Sequence, residues 1–265
     1  MSLILIKDVV KVIEDAIPPH YQEDYDNTGL QIGSMMRPCT GVLLCVDVTP
    51  EIIVEAAQKG CNLIVSHHPL IFNPIKNLIT TGRVDFSVYK AIKNDIAIYS
   101  CHTSADNVPG AGVSWKMAEM LGMSNISTLE QRGDDGAGSG VIGDLPEEMS
   151  HRELVEKVKS TFGSPVARCS AYTPERGKIS RLALCGGAGG FLIPRAIECG
   201  AQAFIASDCK HNHFLDYAKS IFLIDIGHFE SEECTKQIFY QIIREKIPNF
   251  ALYYSELEKN PIIYL

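Results

Sequence analysis

Four of the eight histidines follow directly on short apolar runs that read as buried strands. His67 and His68 follow residues 62–66, His102 follows 95–101 and His228 follows 220–226. In open α/β sheets, ligands collect at the carboxyl ends of strands. Four residues beyond His102 stands Asp106, and four beyond His228 stands Glu232. On a helix, positions i and i+4 share a face, so an imidazole nitrogen and a carboxylate oxygen can point at one place. Glu230 and Glu233 flank the second pair and read as acids serving a helix start. After Asp106 the residues Asn107, Pro109 and Gly110 read as loop. Adjacent side chains at a strand end diverge, so one ion is gripped by both His67 and His68 only if the backbone bends, whereas two ions can each take one. Taken alone, the His67-His68 pair reads as loop histidines making ordinary hydrogen bonds.

Together these residues supply four imidazoles and two carboxylates. A nitrogen and oxygen donor set without thiolate suits Zn, Fe, Mn, Co or Ni and argues against an iron–sulfur cluster or a structural cysteine-zinc site. Six ligands exceed what one catalytic ion with an open position needs. They suit two divalent ions about 3.5–4 Å apart, bridged by carboxylate. The expected metal ligands are therefore His67, His68, His102, Asp106, His228 and Glu232, with Asp106 and Glu232 also bridging or steering the attacking water. Such a pair activates water near neutral pH and polarises a phosphoryl, carbonyl or imidazole group.

Weaker signals lie beside these. Gly186-Gly187-Ala188-Gly189-Gly190 follows a strand but lacks the GxGxxG and Walker A spacings, and reads either as a phosphate turn or as a tight βα connection. The polar run 208–213 contains His211 and His213, which read as acid/base or substrate contacts or as the start of a surface helix. Lys76 reads as a phosphate contact or a solvated side chain, and Trp115 as core. No GxSxG elbow is present, so serine hydrolysis is not indicated.

The elements that must position these groups alternate. Residues 9–17 read as an amphipathic helix closed by Pro18 and Pro19. Residues 41–47 and 62–66 read as strands around a helix opened by Thr49-Pro50-Glu51 and stopped at Gly60. Further strands are read at 95–101, 181–185, 203–206 and 220–226, and a helix at 148–162. Residues 43–66 align without a gap on 183–206, although unrelated β-α-β units can match this well. With the matched His-x-x-x-acid pairs, this reads as a duplication. The expected fold class is α/β: two related lobes with mostly parallel sheets and a metal site in the cleft between them. The first lobe is 1–130 and the second 131–265, with the Gly-rich stretch 133–143 as linker.

Composition bounds the function. The 265 residues carry 24 Lys and Arg against 32 Asp and Glu, a net charge of −8, without a basic run. This argues against a general nucleic-acid binder. No apolar run approaches the ~20 residues of a membrane span, and the apolar part of the opening MSLILIKDVV is too short for a signal peptide. The nine cysteines are odd in number, and none lie in a CxxC pair. They read as free thiols of a cytoplasmic, reducing compartment.

These residues also carry a resemblance. Asp26-Asn27-Thr28-Gly29-Leu30-Gln31-Ile32-Gly33, the block VDVTPEIIVEAAQKGCNLIVSHHPLIF, and the motifs CHTSAD, LALCGGAGG and GHFESE resemble the NIF-three-like family, also called the GTP cyclohydrolase I type 2 homologues. The resemblance spans nearly the whole chain and implies a two-lobed α/β fold, a dinuclear metal centre and a homohexameric ring. It maps the family's metal motifs onto His67, His68, His102, Asp106, His228 and Glu232, and implies that Asp26, Asn27 and Gln31 lie near the cleft. Tyr25 stands where the family commonly has Trp, Ala206-Ser207 where Thr-Gly is expected, and the long central insertion of some members is missing. The resemblance implies hydrolytic opening of the GTP imidazole ring with release of formate. The expected function is thus a dinuclear-metal hydrolase of a nucleotide or related small molecule. The alternatives are a metal-dependent phosphoesterase or nucleotide pyrophosphatase, and a non-enzymatic metal-binding scaffold or regulator.

Overall fold

Short apolar runs flanked by polar turns can satisfy their backbone only by pairing side by side, and here they do so in two sheets. The computed structural model describes residues 3–171 and 177–265, which divide into two compact units. One is Met1–Ala105 with Thr235–Lys259, and the other is Asp106–Cys234 with Asn260–Leu265.

The first unit contains β1 (Gly29–Ile32), β2 (Val42–Cys45), β3 (Leu63–Ser66), β4 (Ala97–Ser100) and a returning strand, β11 (Leu252–Tyr254), in the order β1-β4-β3-β2-β11. The β1–β4 pairing is antiparallel and the other three are parallel. Strands β2, β3 and β4 are buried at every residue, as parallel strands covered on both faces must be. Helix α1 (Ile6–Ala16) starts earlier than the sequence pattern indicates; Met1 and Ser2 of the opening stretch lie outside the described residues. Helix α2 (Pro50–Gln58) begins as expected, with the Thr49 side chain accepting from the Ile52 N–H. It buries Ile52, Ile53 and Ala56 against Leu43, Ile64 and Ile98. Helix α3 (Arg83–Lys93) connects β3 to β4.

The second unit contains β5 (Ser124–Gln131), β6 (Gly138–Met149), β7 (Arg168–Cys169), β8 (Ile179–Leu184), β9 (Ala203–Ala206) and β10 (Phe222–Asp225), in the order β5-β6-β8-β9-β10-β7. Pairings β8–β9 and β9–β10 are parallel and the rest antiparallel. Helix α5 (Val113–Met120) carries Trp115 half-buried rather than in the core. Helix α6 (His151–Phe162) is capped by Ser150 and Glu153 in a reciprocal box and ends at Gly163. Strands β8 and β9 flank α7 (Ile193–Glu198) as β2 and β3 flank α2, which is the register of the gap-free internal alignment.

Two expectations are corrected. The Gly-rich stretch 133–143 is not a linker but the turn and second strand of the β5–β6 hairpin. Gly138 lies so close to the Glu130 carbonyl, at φ +149°, that a Cβ would collide with it. The chain also divides differently from 1–130 and 131–265, because residues 235–259 return to the first unit. Helix α10 (Thr235–Lys246) packs against α1, and β11 pairs with β2. Among the described residues, no helix is long and apolar enough to cross a membrane. All nine cysteines are free thiols.

Two buried carboxylates secure that return. Glu55 of α2 accepts from Ser255 Oγ at 2.5 Å and from the Glu256 N–H at 2.8 Å. Glu258 accepts from the N–H groups of Val46 and Asp47 at 2.7 and 2.9 Å and pairs with Lys236 Nζ at 2.9 Å. Glu258→Ala strands two amides and a buried ammonium group. It is expected to lower the unfolding free energy by about 3 kcal/mol, read from urea denaturation, with Glu258→Gln losing less because its amide oxygen still accepts.

Candidate metal centre

In the first unit the ends of three adjacent parallel strands converge. The backbone ladder continues past their last residues: His67 and His68 donate N–H bonds to the carbonyls of Cys45 and Val46, and Cys101 donates to that of Ser66. The chain bends at residues 67 and 68, and Ser66 Oγ donates to the His68 carbonyl at 2.9 Å. That bend answers the expectation that neighbouring side chains diverge. The rings of His67 and His68 lie 4.9 Å apart, and each lies 5.3 Å from that of His102. One ring nitrogen from each of the three falls within 4.8 Å of the others.

Each ring is held from behind. His67 Nδ1 meets the Cys101 carbonyl at 3.2 Å, His68 Nδ1 meets Asp47 at 3.1 Å, and His102 Nδ1 meets Asp26 at 2.8 Å. A carbonyl or ionised carboxylate can only accept, so Nδ1 carries the proton and Nε2 keeps its lone pair for a ligand. Asp26 has a fully buried side chain. Burial alone would raise its pKa, but hydrogen bonds from His102 and Thr103 hold it well below the usual carboxylate range. Its second oxygen accepts from the Thr103 N–H and Oγ and from Thr28 Oγ. Asn27 and Gln31 act on the loop after the histidine pair. Asn27 Nδ2 donates to the Ile71 carbonyl at 2.6 Å, and the Ile71 N–H donates to Gln31 Oε1 at 3.2 Å.

In the second unit, α9 (His228–Glu232) opens at its histidine, as the spacing requires. His228 Nδ1 meets Asp208 at 2.7 Å, and its Nε2 lies 3.0 Å from Glu232, which is buried. A carboxylate oxygen of Asp106 lies within 4.8 Å of one of Glu232. Asp106 belongs to α4 (Thr103–Asn107), a short helix where the sequence reads as loop. Burial first, and then the charges of Asp106 and Glu232, push up the Cys185 thiol; burial and Glu232 push Cys234 up to about 12. Both shifts disfavour the thiolate form.

The Gly186–Gly190 turn serves packing. A Cβ on Gly187 would collide with Glu232 Oε1, and the Gly186 and Gly187 amides are spent on Ser114 Oγ and Ser231 Oγ. Likewise His213 packs on Gly190 and accepts from the Lys210 N–H, while His211 and Lys76 are exposed. Asp47 and Asp208, which orient two of the imidazoles, are missed by motif reading. Their signal is position: each stands two residues past a buried strand, β2 or β9.

Residues 4–261 match the family model Duf34/NIF3 (NGG1p interacting factor 3). A Clostridium perfringens protein named GTP cyclohydrolase 1 type 2 homolog is 33% identical over 86% of each chain. A Lactococcus lactis protein of the same name is 32% identical, covering 97% of this chain and 98% of its own. The crystal structure of a Bacillus cereus protein related to NIF3 superposes over 100% of both chains with a TM-score of 0.93 at 25% identity.

Removing the groups behind the imidazoles tests this geometry. Asp26→Ala and Asp208→Ala are each expected to weaken divalent-ion binding about 10–100-fold, measured by equilibrium dialysis with zinc, with the circular dichroism of the fold retained. Unchanged affinity in both would detach these aspartates from the site.

Proposed function

Because the chain belongs to the Duf34/NIF3 family, we propose that it is a hydrolase dependent on two divalent metal ions and acting on a nucleotide or related small molecule. The observation that carries this reading is the treatment of the four imidazoles. Each has Nδ1 committed to an oxygen acceptor, which makes Nε2 the nitrogen to offer an ion, and that of His228 lies 3.0 Å from the Glu232 carboxylate. The reading assigns His67, His68, His102, Asp106, His228 and Glu232 to the ions, with Zn, Fe, Mn, Co and Ni all compatible with the donor set. Bound there, a pair of ions supplies Lewis-acid polarisation and a nucleophilic water near neutral pH.

The chain's own groups do the rest. Asp26, Asp47 and Asp208 hold rings in one tautomer and one orientation. Asp106 and Glu232 are the carboxylates that would help hold the ions, and as bases they could accept a proton from water. Opening of the GTP imidazole ring with release of formate is the reaction that the relatives' names support. A homohexameric ring and a cytoplasmic location complete the reading. The exposed Phe86, Tyr89 and Ile92 of α3 support self-association, and the free thiols support a reducing compartment.

The test is turnover of GTP by metal-loaded wild type beside Glu232→Ala, with formate and phosphate quantified separately. Formate from wild type, lost at least 100-fold in the variant, is the expected result. Phosphate without formate moves the assignment to a phosphoesterase. Neither product, with two ions still bound per chain, leaves a metal-binding scaffold. Light scattering of the same preparation is expected to give six times the chain mass.

A further inference from the structure

Two large aromatic side chains stand exposed beside the histidine cluster of the first unit. Tyr25 is 66% and Phe72 44% exposed. Their ring centroids lie 6.4 Å apart with planes tilted by 56°, and the Phe72 ring meets that of His102 edge-on at 6.3 Å. Phe72 is not on a loose loop. The residue before it, Ile71, packs against the core, and both its main-chain groups are taken by the side chains of Asn27 and Gln31. Gln31 is braced in turn, donating to the Asn27 carbonyl at 2.6 Å. The sequence thus spends two polar side chains on fixing an apolar ring that faces water next to a metal-ligand candidate. A preorganised aromatic corner costs little further ordering when a flat partner arrives.

We propose that Tyr25 and Phe72 form the seat for a planar heteroaromatic ring, the base of a nucleotide, beside His102. This rests on the reading of the histidine cluster as the reactive centre. A third ring laid flat on one of the two aromatics meets the other at an angle, and both offset-stacked and edge-to-face arrangements are favourable. The seat offers faces and edges, so it selects for flatness and not for one base over another. Discrimination between guanine and other bases lies elsewhere in the site.

The experiment is calorimetric titration of metal-loaded protein with GTP, ATP and inorganic triphosphate, which lacks a base. Wild type is compared with Tyr25→Ala, Phe72→Ala and Tyr25→Phe, each checked for metal content and for mass by light scattering. Each alanine variant is expected to bind both nucleotides about tenfold more weakly. Tyr25→Phe is expected to bind them within about threefold of wild type, since the ring remains. Triphosphate affinity, metal content and mass are expected to stay constant throughout. The proposal is overturned if the alanine variants bind nucleotides as wild type does, or if wild type binds neither nucleotide. It is equally overturned if triphosphate binding falls in parallel, or if the variants lose mass instead, which would make the patch a contact between copies. Base-dependent binding without release of formate or phosphate would sink the hydrolase reading and leave the seat standing.

Discussion

An imidazole is a dependable metal ligand only when its second nitrogen is already engaged, and the candidate metal centre of this protein meets that requirement. Four rings present Nε2 because Nδ1 is committed to Cys101, Asp47, Asp26 or Asp208. In the first unit the strand order delivers these partners. β3 carries His67 and His68 past its end, β4 carries His102 and the Cys101 carbonyl, and β2 on the other side carries Asp47. In the second unit, β9 is followed by Asp208 and its parallel neighbour β10 by His228. A parallel ladder brings successive carboxyl ends to one edge of a sheet, so candidate ligands and their supports arrive together.

Much of the remaining polar core keeps those strand ends in place. Glu258 caps the backbone at Val46 and Asp47, one and two residues past the β2 end, the second being the residue that orients His68. Glu55 receives the returning chain that delivers Glu258. Glycine serves the same purpose in the second unit, where Gly187 leaves the volume that the Glu232 carboxylate occupies. Buried carboxylates are costly unless hydrogen-bonded, and Glu258 and Glu55 have donors aimed at them. Asp26 shows the consequence most clearly, with a pKa held low despite a buried side chain.

The strands and the principal helices were legible because buried parallel strands are continuous apolar runs and the helices carry their own start and stop signals. Thr49 before α2 and Gly60 after it read true from local chemistry. The stretch 133–143 did not, because glycine in a hairpin and glycine in a linker look alike until the opposing backbone is seen. Gly138 is glycine on account of the Glu130 carbonyl across the ladder. The division into units was equally opaque, since the pairing of β11 with β2 joins residues some two hundred positions apart.

The sequence by itself determined the α/β class and the family and pointed to the candidate ligands, because these follow from local patterns: apolar runs, the His-x-x-x-acid spacings, and histidines at strand ends. Only the tertiary structure decided which side chains stand behind the imidazoles and which way His67 and His68 turn. It also showed that Asn27 and Gln31 hold the loop carrying Phe72. A hydrogen bond between residues 40 or 70 positions apart leaves no periodicity in the chain. It exists because sheet pairing, the antiparallel β1–β4 pair included, brings distant residues side by side, and that adjacency is a property of sheet order.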